Sequence, residues 1–90
     1  MTWSIKSTET FLVAFQKLPP NPLLLRELEK RLHRLKKNPY HVGGWLHGPL
    51  HGKRSTRLAQ KYRLIFTVDE DLHIVYLVFI DHRKDVYRTK

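Results

Sequence analysis

After one short alternating stretch, apolar positions along this chain keep helical spacing to about residue 37 and alternate again beyond residue 52. Residues 3–7 (WSIKS) alternate weakly, as a short first strand does. Ser7 or Thr8 can then cap a helix, with Glu9 well placed at its positive end. Phe11, Ala14, Phe15 and Leu18 follow at helical spacing and predict one apolar stripe. Pro19 and Pro20 stop that helix, because proline cannot continue the ladder. Asn21 and Pro22 form an N-cap and first-turn pair for a second helix. Its apolar seam is Leu25, Leu28, Leu32 and Leu35, ringed by Arg26, Lys30, Arg31, Arg34, Lys36 and Lys37. Asn38-Pro39 ends it. Two helices joined by a tight proline turn predict an antiparallel helical hairpin.

Beyond a loop expected over residues 39–52, anchored by Trp45 and Leu46, the period shortens to two. Residues 53–59 (KRSTRLA) are basic and alternating, residues 62–69 (YRLIFTVD) are β-rich, and residues 73–81 (HIVYLVFID) are the most apolar. Asp69, Glu70 and Asp71 read as the hairpin loop between the last two. Residues 73–81 are apolar at both parities, which predicts a strand inside its sheet. The expected fold is α+β: β-α-α-β-β-β, an antiparallel sheet packed by the N-terminal helical hairpin, as a single domain over residues 1–90.

Composition narrows the class. Hydrophobic residues make up 41% of the 90, enough for a globular domain but only a small core. Absence of cysteine excludes disulfides, thiolate metal sites and a Cys nucleophile. No apolar run approaches membrane-spanning length and no signal-like segment opens the chain, so a soluble cytoplasmic protein without a membrane partner is expected. Seventeen Lys and Arg against eight Asp and Glu give a net charge of +9. Such a field recruits polyanions, of which nucleic acid is the commonest in a cell, and an acidic protein partner is equally compatible.

Metal chemistry finds little support. The carboxylates are scattered, and His41, His47 and His51 share one loop without a second cluster of ligands. No phosphate-cradling glycine loop or nucleophile elbow occurs. The chemistry-bearing residues are Arg, Lys, His and Tyr, and no cofactor is expected. These suit metal-independent RNA cleavage, in which the 2′-OH attacks the adjacent phosphorus. Arginine neutralises the growing phosphate charge best, but its permanent charge makes it a poor base. Lysine beside other cations, or histidine, can take the proton. Arg63 shares its parity with Ile65 and Thr67, opposite Tyr62, Leu64, Phe66 and Val68, so one side can face the helices while Arg63 faces an open concavity. Arg57 can stand beside it, and the turn with His82 and Arg83 can bring Tyr87 over the same surface. Each basic residue alone is most simply a solvated strand edge; Tyr87 alone can simply pin the C-terminus by packing.

The stretch LHGPLHGKRSTRLAQKYRLIFTVDED, an apolar strand and then IDHRKDVYR resemble the RelE branch of the RelE/ParE toxins of prokaryotic toxin–antitoxin modules. The likeness spans nearly the whole chain. YRLIF marks the superfamily, whereas HRKDVY resembles the RelE-type ending. The resemblance implies cleavage of mRNA in the ribosomal A site, restraint by a cognate antitoxin that wraps the toxin, and a toxin–antitoxin hetero-oligomer. It implies that Arg63 contacts the scissile phosphate, that Arg83 binds phosphate, and that Tyr87 stacks on a base or aids proton transfer. Arg57 falls where some members carry a lysine, and Lys53 or Arg54 lies near a second such lysine. Candidates for the base are His82 and Lys53, with His51 behind them. Arg54, Lys61, His51 and Lys84 complete the expected RNA-binding set. Two other readings stay open: a gyrase-inhibiting toxin of the ParE kind, and a basic RNA- or ribosome-binding domain without chemistry.

Overall fold

A computed structural model describes residues 2–45 and 53–82. Strand β1 (Ser4–Ser7) leads into helices α1 (Glu9–Gln16) and α2 (Pro22–Lys37), a 3-10 turn (Pro39–His41) and a two-residue strand β2 (Gly44–Trp45). Strands β3 (Arg54–Leu58), β4 (Tyr62–Asp69) and β5 (Ile74–His82) follow. The five strands form one sheet in the order β1-β5-β4-β3-β2, which places β5 inside it.

Of the two possible caps Thr8 is the one used, and it also ties α1 to the sheet. Its Oγ1 accepts from the Phe11 amide at 3.1 Å and donates to the Leu77 carbonyl at 2.7 Å, while its own amide donates to that carbonyl at 3.0 Å. Asn21 Oδ1 accepts from the Leu24 amide at 3.1 Å, and Pro22 occupies the first turn, where its missing N–H costs nothing. The core lies between the helices and one sheet face. Phe11, Ala14, Leu24, Leu28 and Leu35 meet Leu58, Leu64, Phe66, Val75, Leu77 and Ile80 there.

Three expectations change. Leu25 is 47% exposed and Leu24 takes its place in the core, because the face set by Leu28 and Leu35 continues back through position 24. The sheet is mixed rather than wholly antiparallel, since β1 pairs parallel with β5 (Ser4 with Ile74 through Ser7 with Leu77). These strands are far apart in the chain, and the intervening elements supply the long crossover that a parallel pair needs. The α+β class stands. Within the expected loop over 39–52, β2 forms because Gly43, at φ +64°, lets the chain run close against β3; a Cβ there would lie 1.8 Å from the Ser55 carbonyl oxygen. Two residues carry no readable period, so sequence pattern alone misses such a strand. Leu46 and His47 lie outside the described residues.

A register shift between Ile65 and Phe66 leaves Val78 as an extra residue in β5. Ile65 then pairs with Phe79 and Phe66 with Leu77. Ile65 is buried on the face away from the main core, packed by Val78 and Phe79. That second small apolar cluster accounts for the double-sided hydrophobicity of β5.

Candidate functional site

The β3–β4 ladder pairs Arg57 with Arg63, and the β4–β5 ladder pairs Arg63 with Asp81. Because side chains alternate across a strand, these three share the face opposite Leu58, Leu64 and Ile80, which are fully buried under the helices. The result is a row of two cations and one carboxylate running across three strands, about 10 Å from end to end. Arg57 is exposed, whereas Arg63 and Asp81 are half-buried. Ile65 and Phe79 form the apolar floor beside the row. The parity argument for Arg63 therefore holds in the structure.

The turn that joins β3 to β4 sets the spacing of the arginines. Ala59 and Gln60 both take positive φ, 47° and 63°, and the Lys61 amide donates to the Ala59 carbonyl at 2.7 Å. That bond spans two residues and closes a γ-turn at Gln60, within a connection of three residues between the paired Leu58 and Tyr62. It fixes Leu58 opposite Tyr62, and hence Arg57 opposite Arg63. Lys61 is exposed in this turn, beside the row. Lys53 is half-buried just ahead of β3, with the parity of Ser55 and Arg57. Four residues of extended chain put it about 13 Å along the strand from Arg57.

Arg54 belongs elsewhere. Counted from sequence among the RNA-binding residues, it is 6% exposed and lies on the helix side of β3. Its Nη2 donates to the carbonyls of Tyr40, Val42 and Gly43 at 3.1, 3.2 and 3.4 Å. Its guanidinium also lies 5.9 Å from the Tyr40 ring centroid and 5.0 Å from that of Trp45. These contacts hold the chain after α2 against the sheet edge, and they occupy the guanidinium that a phosphate would need. His82 is likewise placed apart from the arginine row. It pairs with Tyr62, and the two rings meet edge-on at 5.9 Å on the helix side of the sheet. The residue of β5 on the arginine face is Asp81, whose Oδ1 accepts from the His82 amide at 2.7 Å. The sequence pattern does not single out Asp81, because the expected placement of His82 beside Arg63 would turn Asp81 to the other face. His51, Arg83, Lys84 and Tyr87 lie outside the described residues. Among the described residues no group of three or more His, Asp or Glu side chains gathers as metal ligands. No helix among them is long and apolar enough to cross a membrane.

The class is a basic α+β protein with two helices on one face of a five-stranded mixed sheet and the Arg57–Arg63 pair on the other. Residues 5–87 match the family described as ParE toxin of type II toxin-antitoxin system, parDE. The chain is 33% identical to the toxin RelG of Mycobacterium tuberculosis over 88 residues, 98% of this chain and 99% of that protein. It is 30% identical to the putative toxin RelE4 of Methanocaldococcus jannaschii over 66 residues, covering 73% and 69% of the two chains. Its structure resembles a chain of the M. tuberculosis toxin-antitoxin complex RelBE2, with a TM-score of 0.77, 30% identity, and coverage of 92% and 100%. A free mutant of the Escherichia coli toxin RelE shares the fold at a TM-score of 0.74, with 22% identity and coverage of 98% and 93%. This chain belongs to the RelE/ParE toxin family of type II toxin–antitoxin systems.

Proposed function

We propose that this toxin is a metal-independent endoribonuclease that cuts translated mRNA on the ribosome and is silenced by a cognate antitoxin. The observation that carries this reading is the register pair Arg57–Arg63 on the face of the sheet away from the helices. Two guanidinium groups on neighbouring strands match the need of the reaction. The 2′-oxygen bonds to phosphorus, the bond to the 5′-oxygen breaks, and negative charge grows on the phosphate oxygens between them. Arg63 holds the scissile phosphate and Arg57 shares its charge, each donating in a planar fork that lysine cannot offer.

The family resemblance adds Arg83 as a further phosphate ligand and Tyr87 as the group that stacks on a base or returns a proton to the 5′-oxygen. Lys61 and Lys84 supply attraction to the RNA backbone. The first proton, from the 2′-OH, goes to Lys53 or His51. Lys53 has the parity of the arginine row. His82 is the weaker candidate, because its ring packs with Tyr62 on the other side. The antitoxin partner is supported by relatives solved as toxin–antitoxin complexes, and the basic row would attract acidic antitoxin residues.

Growth arrest after induction, with and without co-expressed antitoxin, tests the reading. The wild-type chain is expected to stop growth and the Arg57→Ala/Arg63→Ala double variant to permit it. A fully toxic double variant contradicts the assignment. Arrest with intact messages and damaged DNA would favour a gyrase target instead.

A further inference from the structure

The arginine row does not account for most of the positive charge. Helix α2 carries six cations (Arg26, Lys30, Arg31, Arg34, Lys36, Lys37) against two carboxylates, Glu27 and Glu29. With 3.6 residues per turn, the face of Leu24, Leu28 and Leu35 points to the core, and Arg26, Lys30, His33 and Lys37 fall on the opposite side. All four are exposed, as is Arg34 alongside them. They succeed one another at intervals of three and four residues, so neighbouring side chains stand about 6 Å apart. The ridge is about 16 Å long. Glu27 draws on Lys30 at 3.9 Å and Arg31 at 4.0 Å, but among the described residues Arg26, Arg34 and Lys37 enter no ion pair.

Past the C-terminus of α2 the chain runs through the 3-10 turn to Trp45. Trp45, on the edge strand β2, is 59% exposed although it is the largest side-chain type in the chain. One side of its ring covers the Arg54 guanidinium, which is anchored to the Tyr40, Val42 and Gly43 carbonyls just past the C-terminus of α2. Tyr40, 40% exposed, adjoins it and meets Trp3 edge-on at 5.8 Å. The core does not need an indole left open to solvent over a buried cation. An unpaired nucleobase can stack on one.

We propose that the α2 ridge and Trp45 form a second RNA-binding surface, separate from the arginine row and on the other side of the sheet. It takes the phosphate backbone of a folded RNA along Arg26, Lys30, His33, Arg34 and Lys37 and stacks an unpaired base of that RNA on Trp45. The inference rests on the nuclease reading only in taking RNA as the polyanion. An acidic protein fits this face less well. No apolar side chain interrupts the ridge to form the dry centre of a protein interface, and lysine is depleted in such centres. The exposed Leu23 and Leu25 lie at the opposite end of the helix from Trp45. Such a surface would let the toxin hold a structured RNA while the arginine row engages the strand to be cut.

The test uses the full chain and a 2′-O-methylated RNA hairpin with an unpaired loop, which cannot be cleaved by 2′-OH attack. Binding is followed by fluorescence anisotropy over a range of KCl concentrations. For the Lys30→Gln/Arg34→Gln/Lys37→Gln variant, whose positions are all exposed, affinity should fall at least about tenfold and the log–log salt dependence should become shallower by about 2. Trp45→Ala should cost about tenfold and Trp45→Phe much less, as loss of a stacking platform requires. Circular dichroism checks that each variant is folded, and the glutamine variant decides the matter if Trp45→Ala is not. Unchanged binding by that variant, no binding by the wild type, or tighter binding of poly-glutamate than of the hairpin through the same residues would each overturn the proposal. The nuclease reading stands or falls separately. Hairpin binding that depends on the ridge without cleavage of any message would leave this surface in place and remove the nuclease.

Discussion

Arg57 and Arg63 stand directly opposite one another in the β3–β4 ladder, two like charges in a cross-strand pair. Sheets avoid this arrangement, since like charges placed opposite each other destabilise the pair. Replacing the exposed Arg57 with Thr, a good strand former, should therefore raise stability by up to about 0.5 kcal/mol, or about 2–4 °C in Tm. The same change should lower RNA cleavage at least about tenfold. Thermal unfolding and cleavage rate measured on one preparation check both directions. A loss of stability with full activity would show the pair to be structural.

The turn that sets this pairing is held at a cost. Ala59 and Gln60 occupy the left-handed region, which disfavours residues with a Cβ by about 1 kcal/mol each. Ala59→Gly/Gln60→Gly removes both Cβ atoms from positive φ and should stabilise the domain by up to about 1 kcal/mol, after the added freedom of the unfolded chain is counted. Denaturant unfolding gives the number, and an unchanged midpoint would contradict the turn geometry.

Arg54 should behave as a core residue. Arg54→Ala removes the cation that closes three backbone carbonyls and leaves those acceptors under an uncovered edge, at a cost of about 3 kcal/mol. Arg54→Lys should recover part of this, because one ammonium can donate to the three carbonyls that Nη2 serves alone, but it lacks the planar group that lies against the Trp45 ring. The expected signature is a lowered denaturation midpoint. A variant of native stability that has lost only RNA binding would return Arg54 to the RNA-binding set.

Much of this architecture could be read from the chain. A first cap at Ser7 or Thr8, a second at Asn21, the bounds of β4 and the interior position of β5 follow from local rules, and the structure chooses Thr8. The departures share a cause: each depends on a contact between residues distant in sequence. Leu24 and Leu25 are equally apolar, and only the direction of packing separates them. β2 exists because Gly43 can lie against Ser55. Arg54 and Arg57 are both cations of one basic strand, yet three positions reverse the parity, and one closes the fold while the other faces outward. The arginine row was legible because alternation along β4 is regular up to Arg63. Asp81 and His82 were harder to assign, because the extra residue at Val78 shifts parity relative to the apolar run before it.

Gly43 offers a direct check on that distant contact. Gly43→Ala places a Cβ against the Ser55 carbonyl oxygen and forces a side chain into positive φ. The β2–β3 edge should open, with a loss of about 2–3 kcal/mol and faster amide exchange at Ser55. Because Trp45 lies two residues on, in β2, its ring should also lose its place over the Arg54 guanidinium. Native exchange in this variant would rule out the close approach.

The proposed nuclease uses the Arg57–Arg63 pair to act on translated messages. Primer extension on a reporter mRNA in a translating extract tests it most directly, comparing the message with one whose start codon has been removed. Discrete cuts within the reading frame are expected for the wild-type chain, with their loss both when the start codon is removed and in Arg63→Ala. Intact message at toxin levels that stop protein synthesis, or the same cuts with Arg63→Ala, would contradict it.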